Sequence, residues 1–497
     1  MKLRKKLIWM LLAIPMLGGC TKLEEEVYDK YPAEEFYASP EGADVALAGV
    51  YAKIGGNWGG VGYAGADNGW YDLNSMCADE QVIPHRNTGD WQLDFARLYT
   101  HQWLPTDYII NNTWNWLYSA VFSANLAVEQ LESSGAAVEK IAEARVLRAF
   151  FYYLLMDDFG NVPFYTENSV TVEKLPQVPR EEIYQFVVSE LTTYVPDLPT
   201  TKGGAFYGRF NRWAGYALLA KVYLNAAVYT GTPQWEKTIS AIEKLEAGGF
   251  SLHPGGPSES SPLGYQYYEL FGDRLPDDET ILAIYTTANV VSRNIYTVRS
   301  LSGPHAQALF GYSGWNGTIV PSEYYEMYQD QDIRKAQYQV GPQPGGIEYS
   351  LEVSNLMNPG ADPFAGVRNM KFYPVEPMDG GGASNDFPIY RYADFMLMKA
   401  ECYVRLGDAA AAKPLVDAVR QRAGLAPLEG NPSLEDIYHE RGLELNWEGH
   451  RRQDMIRFGT FLEPNKFRDQ SEPFRKLFPI PTSALDANPN LEQNPGY

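Results

Sequence analysis

The chain has 497 residues and a formal charge of −21. So acidic a balance excludes binding to nucleic acid, whose phosphates call for clustered Lys and Arg, and suits a soluble protein with a neutral ligand. Three cysteines exclude a disulfide framework.

The first predicted element is a secretory signal. Lys2, Arg4, Lys5 and Lys6 form a basic region, and Leu7–Leu17 (LIWMLLAIPML) an apolar one. At eleven residues the latter is well short of the ~20 that span a bilayer, and it has the layout of a signal peptide. Small residues then precede a cysteine in Leu17-Gly18-Gly19-Cys20. This resembles the lipobox of bacterial lipoproteins, in which cleavage leaves the cysteine as an acylated first residue. Residues 1–19 are therefore read as signal peptide and 20–38 as an acidic tether. Removing the four cations of the leader makes the mature charge −25. The run Thr21-Lys22-Leu23-Glu24-Glu25-Glu26 resembles an export signal to the outer face of the outer membrane, or else is a solvated linker.

Helical periodicity dominates the rest. Ser39-Pro40-Glu41 is a helix start, with Ser as cap, Pro in the first turn and an acid near the positive end. That helix stops at Gly55-Gly56. Further helices are predicted over 107–131, 138–157 and 180–194. Residues 211–229 with 233–247, and 392–405 with 409–423, form two helical hairpins that resemble tetratricopeptide units. Between them, Gly248–Phe387 is rich in Gly, Pro, Tyr and Asn, with strand-like pieces such as Thr280–Tyr285. No linker divides the chain. Residues 39–497 are read as one domain, with parts at about 39–250 and about 251–497. A helical scaffold carrying large loops suits a binding protein.

Three stretches carry a family resemblance: Cys77–Pro105 (CADEQVIPHRNTGDWQLDFARLYTHQWLP), Asn385–Gly407 (NDFPIYRYADFMLMKAECYVRLG), and the C-terminal Glu440–Gly459 (ERGLELNWEGHRRQDMIRFG) with Leu477–Tyr497 (LFPIPTSALDANPNLEQNPGY). The ending, with Ile480-Pro481, Asn488-Pro489 and Gln493–Tyr497, is the most specific part. Together with the lipobox they resemble the SusD/RagB family of nutrient-binding outer-membrane lipoproteins. The resemblance implies a mainly α fold, an irregular tetratricopeptide-like helical-pair scaffold of four pairs with large loop-rich insertions and a few short strands. It implies a SusC-like TonB-dependent transporter as partner, with the lipoprotein as a lid that captures glycans at the outer membrane. It also implies glycan-stacking rings in the Gly89-Asp90-Trp91 loop and the central loops.

Other chemistry is weakly supported. Gly60-Val61-Gly62-Tyr63-Ala64-Gly65 matches a dinucleotide fingerprint, but a predicted helix precedes it where a strand is required. The six histidines lack ligand spacing. His450, beside Glu448 and Arg451, reads as part of a structural polar cluster. Asp277-Asp278-Glu279 holds carboxylates of the kind glycosidases use, but such a pair must face each other across roughly 5–10 Å. Asp67, Asn68 and Asp72 are calcium-ligand types that miss the EF-hand spacing. Whether Cys77 and Cys402 pair is left open. No catalytic residue, metal or cofactor is predicted, and the chain is read as a non-enzyme.

The aromatic residues say more. There are 35 Tyr against 22 Phe, and 11 Trp. Sugars present C–H faces ringed by hydroxyls, and Tyr and Trp offer a flat apolar face with a polar edge. The candidate ligand residues are Trp58, Trp70, Asp79, Arg86 and Trp91, between the first long helices, and Tyr312, Trp315 and Asn316 in the central loops. Trp114, Trp116, Trp213 and Trp447 fall within helices and read as core. The alternatives are the same fold serving a peptide or other nutrient, and a surface glycoside hydrolase.

Overall fold

A short helix, α1 (Ala33–Ala38), already forms within the stretch read as tether. Ser39 then starts α2 (Pro40–Tyr51) as its sequence predicts. Its side-chain oxygen accepts from the Gly42 N–H at 3.0 Å, and Pro40 fills a first-turn position whose N–H would have no partner. The computed structural model describes residues 33–55, 61–85, 91–171, 174–286, 294–357, 362–376 and 382–497. Two short helices, α3 (Trp70–Met76) and α4 (Leu93–Tyr99), follow α2. The long pair α5 (Tyr108–Ser133) and α6 (Val138–Phe159) is joined by a four-residue turn. A connection that short makes the two helices adjacent.

Next come α7 (Arg180–Tyr194), α8 (Arg212–Leu224), α9 (Ala226–Thr230) and α10 (Trp235–Glu246). Neighbouring helices pack in chain order, α5 on α6, α6 on α7 and α8 on α10. Small residues allow the approach: a Cβ at Gly215 of α8 would stand 2.7 Å from Val195. The single helix predicted over 211–229 is broken instead at Asn225. Its side chain donates to the Lys221 carbonyl and accepts from Arg457, which ends α8 and starts α9.

The central region carries α11 (Tyr296–Ser300), α12 (Gly303–Phe310) and α13 (Ser322–Tyr325). Strand Thr280–Ile284 pairs antiparallel with Phe387–Arg391, and every residue of both is buried. That pairing closes the central region into an excursion that leaves and re-enters the scaffold at one place. The other strand pairs are two or three residues long. The chain then forms α14 (Tyr392–Arg405), α15 (Ala409–Arg422), α16 (Leu434–Leu445), α17 (Arg451–Phe458) and α18 (Thr482–Ala487). Among the described residues no helix is long and apolar enough to cross a membrane.

The Glu440–Gly459 motif is buried charge. Arg334 meets Glu440 at 2.7 Å, Glu444 at 3.0 Å and Asp332 at 2.8 Å. Arg391 binds Glu279 at 2.9 Å, Glu448 at 2.6 Å, and Glu444. Lys371 and Arg422 close the set on Glu448 and Glu279. Burial alone would raise the Glu444 carboxyl, but Arg422, Arg391 and Arg334 together hold it well below the usual carboxylate range. A neighbouring cluster joins Lys221, Asp394, Arg441, Asp454, Arg457 and Glu401. His450 faces Lys221 there at 3.2 Å, and burial with the Lys221 charge lowers its pKa to about 4. It is a neutral structural side chain, in line with the polar-cluster reading.

The C-terminal motif is a strap across α6. Asn494 donates to the Phe159 and Phe478 carbonyls, Phe478 donates to the Asp158 carbonyl, and Trp103 donates to the Tyr497 hydroxyl. Gly496, at φ 97°, lies where a side chain would strike the Phe474 ring. Cys77 and Cys402 are both buried and free, so they do not pair.

Candidate functional site

A backbone bridge creates the site. Val82 and Ile319 exchange N–H···O bonds of 3.0 and 2.8 Å, which ties the segment leading to Trp91 to the segment that follows Trp315. The His85 ring nitrogen lies 2.8 Å from the Trp91 carbonyl oxygen and sets the base of that loop. The Trp91 indole meets Phe95 edge-on at 6.0 Å and leans on the backbone of Gly317. A Cβ at Gly317 would stand 2.4 Å from the Trp91 ring, so only glycine admits this contact.

The 311–317 loop is fixed from below by backbone bonds. Trp315 donates to the Val298 carbonyl at 2.8 Å, Asn316 to Leu301 at 2.8 Å, and Gly317 to Arg299 at 2.7 Å. Asn316 takes a left-handed φ of 54°, which Asn tolerates better than most residues. Its amide oxygen accepts from Arg368 at 2.9 Å, and its amide nitrogen donates to the Pro363 carbonyl at 2.8 Å. Asn316 thereby holds the turn that presents Trp315. Trp91, Tyr312 and Trp315 are all half-buried, packed against the edge of the main core.

The support beneath this loop is ionic. Arg299, fully buried, is held by Asp67 at 2.7 Å and Asp72 at 2.8 Å. The Asp67 and Asp72 carboxylates, considered above as calcium-ligand types, thus close on a guanidinium. Beside it Tyr296 receives the Gly65 N–H at 2.8 Å, so the glycine-rich loop turns this amide inward to a phenol. His305 of α12 sits 3.2 Å from the Tyr349 hydroxyl, and burial followed by the Arg368 charge lowers its pKa to about 4.

The predicted residues therefore divide. The Trp91 ring meets the chain at Gly317, next to Asn316, in the same 311–317 loop that carries Tyr312 and Trp315. Trp58, Arg86 and Cys20 lie outside the described residues. Trp70 is corrected to a core residue: it is 2 % exposed and stacks on Tyr63 at 4.2 Å, with no ring face left for a ligand. Asp79 makes a two-pronged pair with Arg451, at 2.7 and 2.8 Å, and so anchors α17. The acidic triplet is likewise spoken for: Glu279 lies in the buried network, Asp278 meets His253, and Asp277 meets Arg274. Sequence reasoning missed Phe95, Arg299, Gly317 and Arg368. Only Gly317, directly after a loop Trp-Asn, carried any local signal.

Comparison with known proteins came to the same motifs. The model for the SusD family matches residues 345–497, and one described as starch-binding, associating with the outer membrane, matches residues 59–224. SusD-like protein P25 of Formosa agariphila is 24 % identical over the whole of both chains. Starch-binding protein SusD of Bacteroides thetaiotaomicron is 23 % identical over 82 % of each. Among solved structures, a SusD-like protein from Bacteroides fragilis aligns with a TM-score of 0.76 at 19 % identity, covering 94 % of this chain and 100 % of that one. Surface glycan-binding protein A of Bacteroides thetaiotaomicron, in complex with laminarihexaose, aligns with a TM-score of 0.72 at 21 % identity, covering 92 % and 99 %.

Proposed function

The chain belongs to the SusD family, and from that premise we propose that it is a lipid-anchored surface protein that captures a glycan or oligosaccharide and delivers it to a SusC-like TonB-dependent outer-membrane transporter. One observation carries the glycan reading. Two tryptophans more than 200 residues apart in sequence are brought to either side of Gly317, both half-buried, with Asn316 beside Trp315. A flat apolar ring beside hydrogen-bonding groups is what a sugar face needs. The names of relatives that bind starch and laminarihexaose lend support. In this reading the protein binds and releases its ligand and catalyses nothing.

The anchor is Cys20. Each buried methylene of an acyl chain adds about 0.8 kcal/mol of membrane affinity, and more than one chain is needed for stable attachment. Labelling with a fatty-acid probe marks the wild type and spares Cys20→Ala; equal labelling of both would refute the anchor.

The test of the site is Trp91→Ala and Trp315→Ala, with binding read on a glycan array and by affinity electrophoresis. Truncating a central aromatic anchor costs about 2 kcal/mol, roughly thirtyfold in affinity. Melting should change little for Trp315→Ala. Normal binding by both variants would move the site elsewhere. A wild type that binds peptides and no glycan would transfer the fold to the other nutrient class.

A further inference from the structure

The loop that presents Trp315 doubles back along α12. Gly311 ends that helix in a left-handed conformation. The chain then returns, so that Ser313 lies against Gly303 and Gly314 against the Leu301 carbonyl. The eight residues of α12 span about 12 Å. Trp315 thus marks one end of this helix and Phe310 the other, and Tyr312 stands two residues beyond Phe310.

At the Phe310 end lies a cleft of about 500 Å³, within the size range of small-ligand sites. Phe310 and Tyr373 form its aromatic wall, edge to face at 5.2 Å. Leu263, Leu309 and Val375 add apolar surface, with Leu309 36 % and Val375 62 % exposed. Ser260 and Glu376 supply hydrogen-bonding groups at the rim. The wall rests on the small buried cluster of Leu301, Ala306 and Met370, so the cleft is formed without a ligand.

We propose that this cleft is a second carbohydrate subsite, taking the far end of an oligosaccharide whose near end stacks on Trp91 and Trp315. The inference rests on the glycan reading of the first site. Aromatic and aliphatic walls with Ser260 and Glu376 at the edge match a sugar ring, whose C–H face stacks on the rings while its hydroxyls meet the polar groups. The position matches as well, because the cleft lies at the Phe310 end of α12 and Trp315, bonded back to Val298, at the other. Two sites on one rigid body convert the second contact into an intramolecular one, so affinity rises with chain length once the ligand spans both.

The experiment is calorimetric titration with malto- and laminari-oligosaccharides from disaccharide to octasaccharide, alongside a glycan array. The proteins are the wild type, Val375→Asp and Tyr373→Ala, each checked for melting. Val375 is exposed enough that its substitution leaves the fold alone. The wild type should gain roughly tenfold or more in affinity between the shortest and the longest ligand. Both variants should lose that gain while binding short ligands as the wild type does. A length dependence equal in all three proteins, or none in the wild type, overturns the subsite and leaves the first site standing. A wild type that binds no carbohydrate in any format overturns the glycan reading and this inference together.

Discussion

The Glu440–Gly459 segment and the 311–317 loop are both rich in polar and aromatic residues, and the structure uses them in opposite ways. In the first, charge points inward: Glu444 and Glu448 are buried against Arg334, Arg391 and Lys371, and Trp447 is fully enclosed. In the second, Tyr312 and Trp315 stay half-open on a backbone pinned to residues 298–301. This stretch, one of those that carry the family resemblance, is therefore architecture. In the proposed function, recognition falls to loops with little sequence pattern of their own. Substitutions in the two regions should separate cleanly, the first changing stability and the second affinity.

The largest effect should come from Arg391→Ala. It takes the shared cation from Glu279, Glu444 and Glu448, leaving them only Arg422, Arg334 and Lys371 around an empty place. Breaking a buried ionic set by removing one partner costs about 3–5 kcal/mol. Urea denaturation should show that loss, while the folded fraction binds ligand with unchanged affinity. Unchanged stability would mean the network is not what holds these helices, and the contrast between the regions would fail.

Next in size is a pH effect inside the same region. Glu80 accepts the Trp447 N–H at 3.0 Å and holds that residue in a left-handed φ of 60°. Burial raises its pKa from 4.5 to about 7. Between those values the unfolded chain loses this proton and the folded chain keeps it, so this group's contribution to stability falls as pH rises from 4.5 to about 7 and is flat above. Glu80→Gln keeps an acceptor for Trp447 and removes the titration. The variant should gain on the wild type across that window, by an amount on the order of 3 kcal/mol at pH 8. Asp454 has the opposite sign. Burial pushes it up, but Arg441 and Arg457 prevail and hold it at about 2. Its contribution is present above the ordinary value of 3.8 and is lost as pH falls toward 2. Denaturation midpoints of the wild type and Glu80→Gln from pH 4 to pH 8 test the first claim; parallel curves would show that folding leaves the Glu80 carboxyl unshifted.

Much of the scaffold was legible. The helices at 180–194 and 392–405 have the bounds read from periodicity, and Ser39 caps α2 as expected. Trp70–Met76 was not legible because every residue in it is buried, which erases the two-faced pattern that betrays a helix. The break at Asn225 depends on Arg457, far along the chain. The site was half legible for the same reason. Trp70 and Trp91 stand in similar loop-like sequence, and their difference is made by partners distant in sequence, Tyr63 stacking and the Val82–Ile319 bridge. Nor could spacing foretell that Asp67 and Asp72 would meet Arg299.

The smallest predicted effect bears most directly on whether the loop face is one unit. Gly317 is the contact through which the Trp91 loop and the Trp315 loop meet, and its φ is not in the glycine region, so alanine is tolerable to the backbone there. The new methyl group would stand 2.4 Å from the Trp91 ring and 3.1 Å from the Arg299 carbonyl oxygen. The backbone on the Arg299 side is held by two N–H···O bonds, from Gly317 and Thr318. The Trp91 side chain, only half-buried, is the side that yields. Gly317→Ala should therefore tilt Trp91 off its position while leaving Trp315 in place. Affinity for the wild type's glycan should fall by about 1 kcal/mol, roughly fivefold, against the thirtyfold of either Trp→Ala variant. Combined with Trp91→Ala, the glycine substitution should add almost nothing, because the ring it displaces is already gone. A full additive loss in the double variant would mean that Gly317 acts through Arg299 and the loop backbone, and that Trp91 and Trp315 bind independently.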